Sequence, residues 1–176
     1  MPYSASENKD VVKRWYSELK PWSVVDLGPG AGTYSDLLRP LDNGVASWSA
    51  VEAWGPYVNQ FNLTQKYNHV VVADIRYVDL RLVDPRPDLV IMGDVLEHLP
   101  RGDAENLMGD IQSWTKNLVV SLPIVHYPQG SYEGNWFETH HHHWSHEEVL
   151  EFLGEGVVDS VRGPMLGYYL WSQDVA

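Results

Sequence analysis

Three glycines on alternate positions, Gly28, Gly30 and Gly32, directly follow the apolar run Val24-Val25-Asp26-Leu27. Glycine has no Cβ, so a turn built from it tolerates strained backbone angles and lets a ligand approach the main chain closely. Glu52 ends a second short apolar run, Ser47 to Ala53, at about the separation from the glycines at which a carboxylate meets ribose hydroxyls. Asp74 follows the run His69 to Ala73, and Asp94 follows Asp88 to Met92 and Gly93. A bare turn with acids at the ends of successive strands suits a nucleotide-type ligand. Groups able to move a proton lie further on: His98, His126, Glu138 and His140. Histidine titrates in the range useful for general base work.

The elements that position these residues alternate regularly. Val11, Val12, Trp15, Tyr16 and Leu19 fall on one face of a helix spanning Ser6 to Leu19, with Ser6 as its cap and Pro21 marking its end. Thr33 to Leu38 reads as a helix behind the glycine turn, Tyr57 to Tyr67 as another, and Arg101 to Trp114 as a third. Leu118 to Leu122 makes a fifth strand, and Ser145 to Glu148 is a capping box opening a helix that ends near Leu153. Val157 to Val161 and Leu166 to Trp171 are joined by so short a connection that they must pair antiparallel. Strands alternating with helices predict an α/β fold with a parallel sheet, its ligand lying across the carboxyl edge. Residues 1–176 form one domain, with no internal repeat.

Composition narrows the partners. The formal charge of −12 disfavours nucleic acid backbones and anionic lipid. No apolar run approaches the ~20 residues of a membrane span, and the chain opens on a polar stretch, so a cytoplasmic protein, monomeric or homodimeric, is expected. The absence of cysteine excludes disulfides, thiolate metal sites and cysteine nucleophiles, including covalent attack on cytosine C5.

Taken together, Asp26-Leu-Gly28-Pro-Gly30-Ala-Gly32, then Glu52, Asp74 and Asp94-Val-Leu-Glu-His98, resemble the class I S-adenosylmethionine-dependent methyltransferases over nearly the whole chain. The resemblance implies a Rossmann-like seven-stranded sheet of order 3-2-1-4-5-7-6, strand 7 antiparallel and helices on both faces. It also implies S-adenosyl-L-methionine as cofactor. Gly28, Gly30 and Gly32 would admit its methionine end, with Asp26 ordering the turn and helping to hold the amino group. Glu52, with Ala53, would take the ribose. Asp74 and Ile75 would take the adenine, and Gly93, Asp94 and Leu96 would close the other side. A nicotinamide enzyme is the rival, but its fingerprint places the third glycine one residue later, where Thr33 stands.

The segment Ile124 to Trp144 breaks the rhythm of the chain and is rich in Pro, Gly, aromatics and histidine. Loops this long are usually functional or disordered, and the aromatic content argues against disorder. Pro128, Gln129, Gly130, Glu133, Gly134, Asn135, Phe137, Glu138, His140 and Trp144 resemble a signature of small bacterial and phage methyltransferases. That resemblance implies an acceptor pocket here, for an O or N atom of a small molecule or saccharide-like group. His98, His126, Glu138 and His140 are the candidate catalytic residues. The run His140 to His143 invites a metal, but adjacent side chains diverge and no metal is expected on it. The base-amino methyltransferase motif is absent after the fourth strand, where Gly93-Asp-Val-Leu stands. Two other functions share the fold: a non-catalytic S-adenosylmethionine or S-adenosylhomocysteine-binding partner protein, and a histidine-mediated metal-binding module.

Overall fold

The computed structural model describes residues 7–175. Seven strands form one sheet of order β3-β2-β1-β4-β5-β7-β6. They are β1 (Ser23–Leu27), β2 (Ser47–Glu52), β3 (His69–Val72), β4 (Leu89–Gly93), β5 (Asn117–Pro123), β6 (Val157–Arg162) and β7 (Leu166–Ser172). The pairs β1·β2, β1·β4, β2·β3 and β4·β5 are parallel, while β7 runs antiparallel to both β5 and β6. The predicted architecture is therefore the observed one.

Both faces of the sheet are covered, which is why its inner strands are apolar throughout. The period of two along each strand divides the core in two. Val25, Leu27, Val90, Met92, Leu118 and Val120 point to one face, where they meet α5 (Arg101–Trp114) and α6 (His146–Leu153). Val24, Trp48, Ala50, Leu89, Ile91 and Val119 point to the other, against α1 (Lys9–Leu19) and α2 (Thr33–Leu38). The capping box forms as predicted: Ser145 Oγ accepts from Glu148 N, and Glu148 Oε2 accepts from Ser145 N at 2.8 Å.

Two helix expectations change. Ser6 lies outside the described residues, and α1 begins at Lys9 after Asn8, whose φ of 53° breaks the helical run. The single helix expected over Tyr57 to Tyr67 is two short ones, α3 (Pro56–Gln60) and α4 (Leu63–Lys66). Asn62 separates them at φ 52°, a left-handed conformation that asparagine tolerates better than most residues. Among the described residues no helix is long and apolar enough to cross a membrane.

Candidate active site

A cavity opens at the carboxyl edge of β1, β2, β3 and β4, where the loops after these strands meet. Gly28 and Gly30 line it with positive φ, 69° and 52°, so the turn presents bare main chain to the space. Glu52, at the tip of β2, is buried and braces that turn: its Oε2 accepts from Gly30 N at 3.2 Å and its Oε1 from Trp54 N at 2.8 Å. Each oxygen keeps a further lone pair, because a carboxylate can accept about four hydrogen bonds. Ala53, Asp74, Ile75, Gly93, Asp94, His98 and Glu138 complete the predicted residues in the wall.

Five predicted residues lie elsewhere. Asp26 shares the strand face of Val24, not of Val25, and its Oδ2 accepts from the Tyr67 hydroxyl at 2.6 Å, on the face that packs against α1 and α2. It is not in the cavity wall and orders the strand from beneath. Gly32 caps α2, and a Cβ there would meet the Lys66 side chain rather than the cavity. Leu96 is turned into the core by the short 3-10 helix Leu96–His98, which leaves Val95 and His98 facing the site. His126 is exposed and its ring lies 4.2 Å from that of His143. His140 stands behind the wall, its ring 4.8 Å from that of His98.

Several lining residues escape a reading of strand tips alone. Tyr34 reaches in from α2, its hydroxyl 2.6 Å from Ser121 Oγ, and no periodicity distinguishes it from an ordinary core aromatic. Arg76 grips Asp74 through Nε and Nη2, and also bonds Asp103 at 3.0 Å. Burial acts to raise the Asp74 carboxyl, but the Arg76 guanidinium and backbone N–H outweigh it and hold the group below the usual carboxylate range.

The segment after β5 folds back over the cavity. Asn135 caps the 3-10 helix Trp136–Glu138 by accepting from Phe137 N at 3.0 Å. Asn135, Phe137 and Glu138 then join the wall. Glu138 is buried: its Oε1 accepts from the Tyr57 hydroxyl at 3.1 Å, and its carbonyl accepts from Gln129 Nε2 at 2.7 Å. The loop is also tied to the turn after β4, since Glu97 O accepts from His141 N at 2.7 Å and from His142 N at 3.3 Å. Trp54 and Trp136 meet edge to face, 5.4 Å apart.

Burial dominates the electrostatics. It pushes Asp26 and Glu52 up to about 7, against the opposing bonds from Tyr67 in the first case and from Trp54 N and Gly30 N in the second. Burial, with the neighbouring His140 ring, pushes His98 down to about 4, so its imidazole is neutral at physiological pH. Because the folded state holds the Asp26 and Glu52 protons more tightly than the unfolded chain, these acids favour folding most at low pH. Their contribution falls as pH rises from about 4 to about 7, by roughly 1 kcal/mol per pH unit for each. Urea unfolding between pH 5 and pH 8 should show Glu52→Gln losing stability less steeply than the parent protein over that interval. Equal slopes would place the titration elsewhere.

A sheet of this order with β7 reversed is the class I methyltransferase fold. No family model and no curated protein matches the chain. Solved structures do. The N-terminal domain of EvdMO1, crystallised in the presence of SAH and D-fucose, aligns with a TM-score of 0.69 at 11% identity over 97% of this chain and 84% of that one. A S-adenosylmethionine-dependent methyltransferase from Clostridium acetobutylicum aligns with a TM-score of 0.69 at 12% identity, covering 93% and 89%. TehB from Haemophilus influenzae aligns at 0.69 and 13% identity, covering 97% of this chain and 63% of that one.

Proposed function

We propose that this chain is an S-adenosylmethionine-dependent methyltransferase acting on an O or N atom of a small molecule or saccharide-like acceptor. One observation carries the reading: the glycine turn and the residues at the tips of β2, β3 and β4 converge on a single cavity. The residues fit the cofactor chemically. Carboxylates of Glu52, Asp74, Asp94 and Glu138 line that cavity and suit a ligand bearing a sulfonium and an ammonium group. Gly28 and Gly30 leave room for close approach at the methionine end, Glu52 keeps lone pairs for ribose hydroxyls, and Asp74 with Ile75 borders the space for an adenine. The neighbour crystallised with SAH and D-fucose supports both the cofactor and the saccharide-like acceptor.

When bound, S-adenosylmethionine supplies an electrophilic methyl group; the protein's task is to hold the acceptor atom in line with it. Tyr57 and Phe137 offer apolar walls for that acceptor, with Glu138 and His98 as polar groups among them. His98 donates Nδ1–H to Thr139 O at 3.2 Å, which leaves the lone pair on Nε2. Calorimetric titration tests the reading: S-adenosylmethionine and S-adenosylhomocysteine should each bind at one site, and NAD should give no heat. Absence of heat with both methyl-cofactor forms would overturn it. Binding without turnover on sugar, phenol and amine acceptors would make the chain a non-catalytic cofactor-binding protein.

A further inference from the structure

We propose that Glu97, His98 and His140 form a binding site for one divalent transition-metal ion, bordering the cavity on its acceptor side. Each of the three offers a ligand atom, and these atoms lie within 4.8 Å of one another. Zinc–nitrogen bonds of ~2.0 Å in a tetrahedral site need separations of about 3.3 Å. Binding therefore requires the half-buried His140 side chain to move toward the other two ligands.

Three features separate this cluster from a chance grouping. Glu97 is 2% exposed, and neither carboxylate oxygen has a hydrogen-bond partner among the described residues. Leaving a buried carboxyl unsatisfied is costly, and a cation removes that cost. Second, both imidazoles make the backbone hydrogen bond through Nδ1 that commonly fixes the tautomer of a metal ligand. His98 donates Nδ1–H to Thr139 O and His140 donates Nδ1–H to Tyr127 O at 2.6 Å, so each keeps the Nε2 lone pair that a metal takes. Third, the chain spends backbone hydrogen bonds on bringing the parts together: His141 N and His142 N donate to Glu97 O, and His140 N donates to Gln129 O at 2.9 Å. The first two bonds dock the loop bearing His140 onto the turn bearing Glu97 and His98, and the third closes the loop on itself.

One carboxylate and two imidazoles suit zinc, cobalt, nickel, manganese or iron and leave coordination positions open. They do not suit magnesium or calcium, which prefer oxygen donors throughout. His98 belongs to the cluster and to the cavity wall alike, so an ion here borders the space left for the acceptor. Its role, unlike its binding, rests on the methyltransferase reading: an acceptor hydroxyl on the ion becomes more acidic and loses its proton to solvent.

The test uses the full chain stripped with EDTA and titrated separately with Zn2+, Co2+ and Mg2+, following heat and the visible absorption of bound Co2+. One equivalent of Co2+ and of Zn2+ should bind, with Mg2+ much weaker. Glu97→Gln and His140→Ala should each weaken Co2+ binding by about tenfold or more, while His141→Ala leaves it unchanged. His140→Ala carries the test if Glu97→Gln fails to fold. No Co2+ or Zn2+ binding, preference for Mg2+, or loss on His141→Ala but not on His140→Ala would each overturn the site. S-adenosylhomocysteine titrated into the same samples reads the cofactor site separately, so failure of the metal site and failure of the methyltransferase reading remain distinct results.

Discussion

Glu52→Ala is expected to weaken S-adenosylhomocysteine binding by about 1 to 3 kcal/mol, roughly five- to 150-fold, from the loss of charge-assisted hydrogen bonds. Bracing the turn and meeting a ligand are separable roles of this carboxylate. Its oxygens brace the turn through Gly30 N and Trp54 N, and their remaining lone pairs border the cavity. Gly30 lines that cavity, so water can replace the acceptor lost by its amide, and the cost to folding is small. Burial moreover pushes the group up to about 7, which means its charge is itself unfavourable in the free protein above that pH. Affinity should therefore fall far more than stability. Calorimetry with S-adenosylhomocysteine and urea unfolding, run on the same variant, decide the point. Unchanged affinity would remove Glu52 from the site, and a collapse in stability would make bracing its main task.

Binding should also strengthen as pH rises through about 7, because a ribose hydroxyl donates a stronger hydrogen bond to the ionised carboxylate than to the protonated acid. The Glu52→Gln variant should lack that dependence, which calorimetry between pH 6 and pH 8 can read.

The tips of β1 to β4 were legible because they obey local rules: an apolar run, then glycine or an acid. The sheet order came from resemblance, while the antiparallel hairpin followed from the short Arg162-Gly163-Pro164-Met165 connection. What the sequence hid was mostly orientation. Asp26 carries the right residue type next to the right turn, yet the two-residue period of β1 points it at Tyr67. Leu96 lies inside the motif, but the 3-10 turn buries it in the core. Long-range partners were hidden too. The grip of Arg76 on Asp74 is local in sequence, but its second bond to Asp103 and the Tyr57 bond to Glu138 depend on how distant segments dock. Glu97 shows the same limit in reverse. It stood in plain view between Leu96 and His98, and only the docked loop reveals that its carboxylate has no hydrogen-bond partner among the described residues and two histidines beside it.

Gly93→Ala should destabilise the protein by about 2 to 3 kcal/mol, the upper part of the range for overpacking a buried site. The cause is steric, since Gly93 is not among the described residues with positive φ. An added Cβ would lie 2.0 Å from Tyr34 Cε2, 2.8 Å from Cδ2 and 3.1 Å from Cζ, inside the ring's own volume. The ring has little freedom to retreat, because it is buried, its hydroxyl is bonded to Ser121 Oγ, and the Lys9 ammonium lies 4.8 Å from its centroid. Tyr34 and Gly93 both line the cavity, so a displaced ring would also enter the space proposed for the cofactor and lower affinity. A double-mutant cycle isolates this contact from the other effects of each change. In a Tyr34→Ala background the clash is gone, and Gly93→Ala should become neutral or stabilising by up to about 1 kcal/mol through reduced freedom of the unfolded chain. Equal costs in the two backgrounds would show that the Tyr34 ring does not fix glycine at position 93.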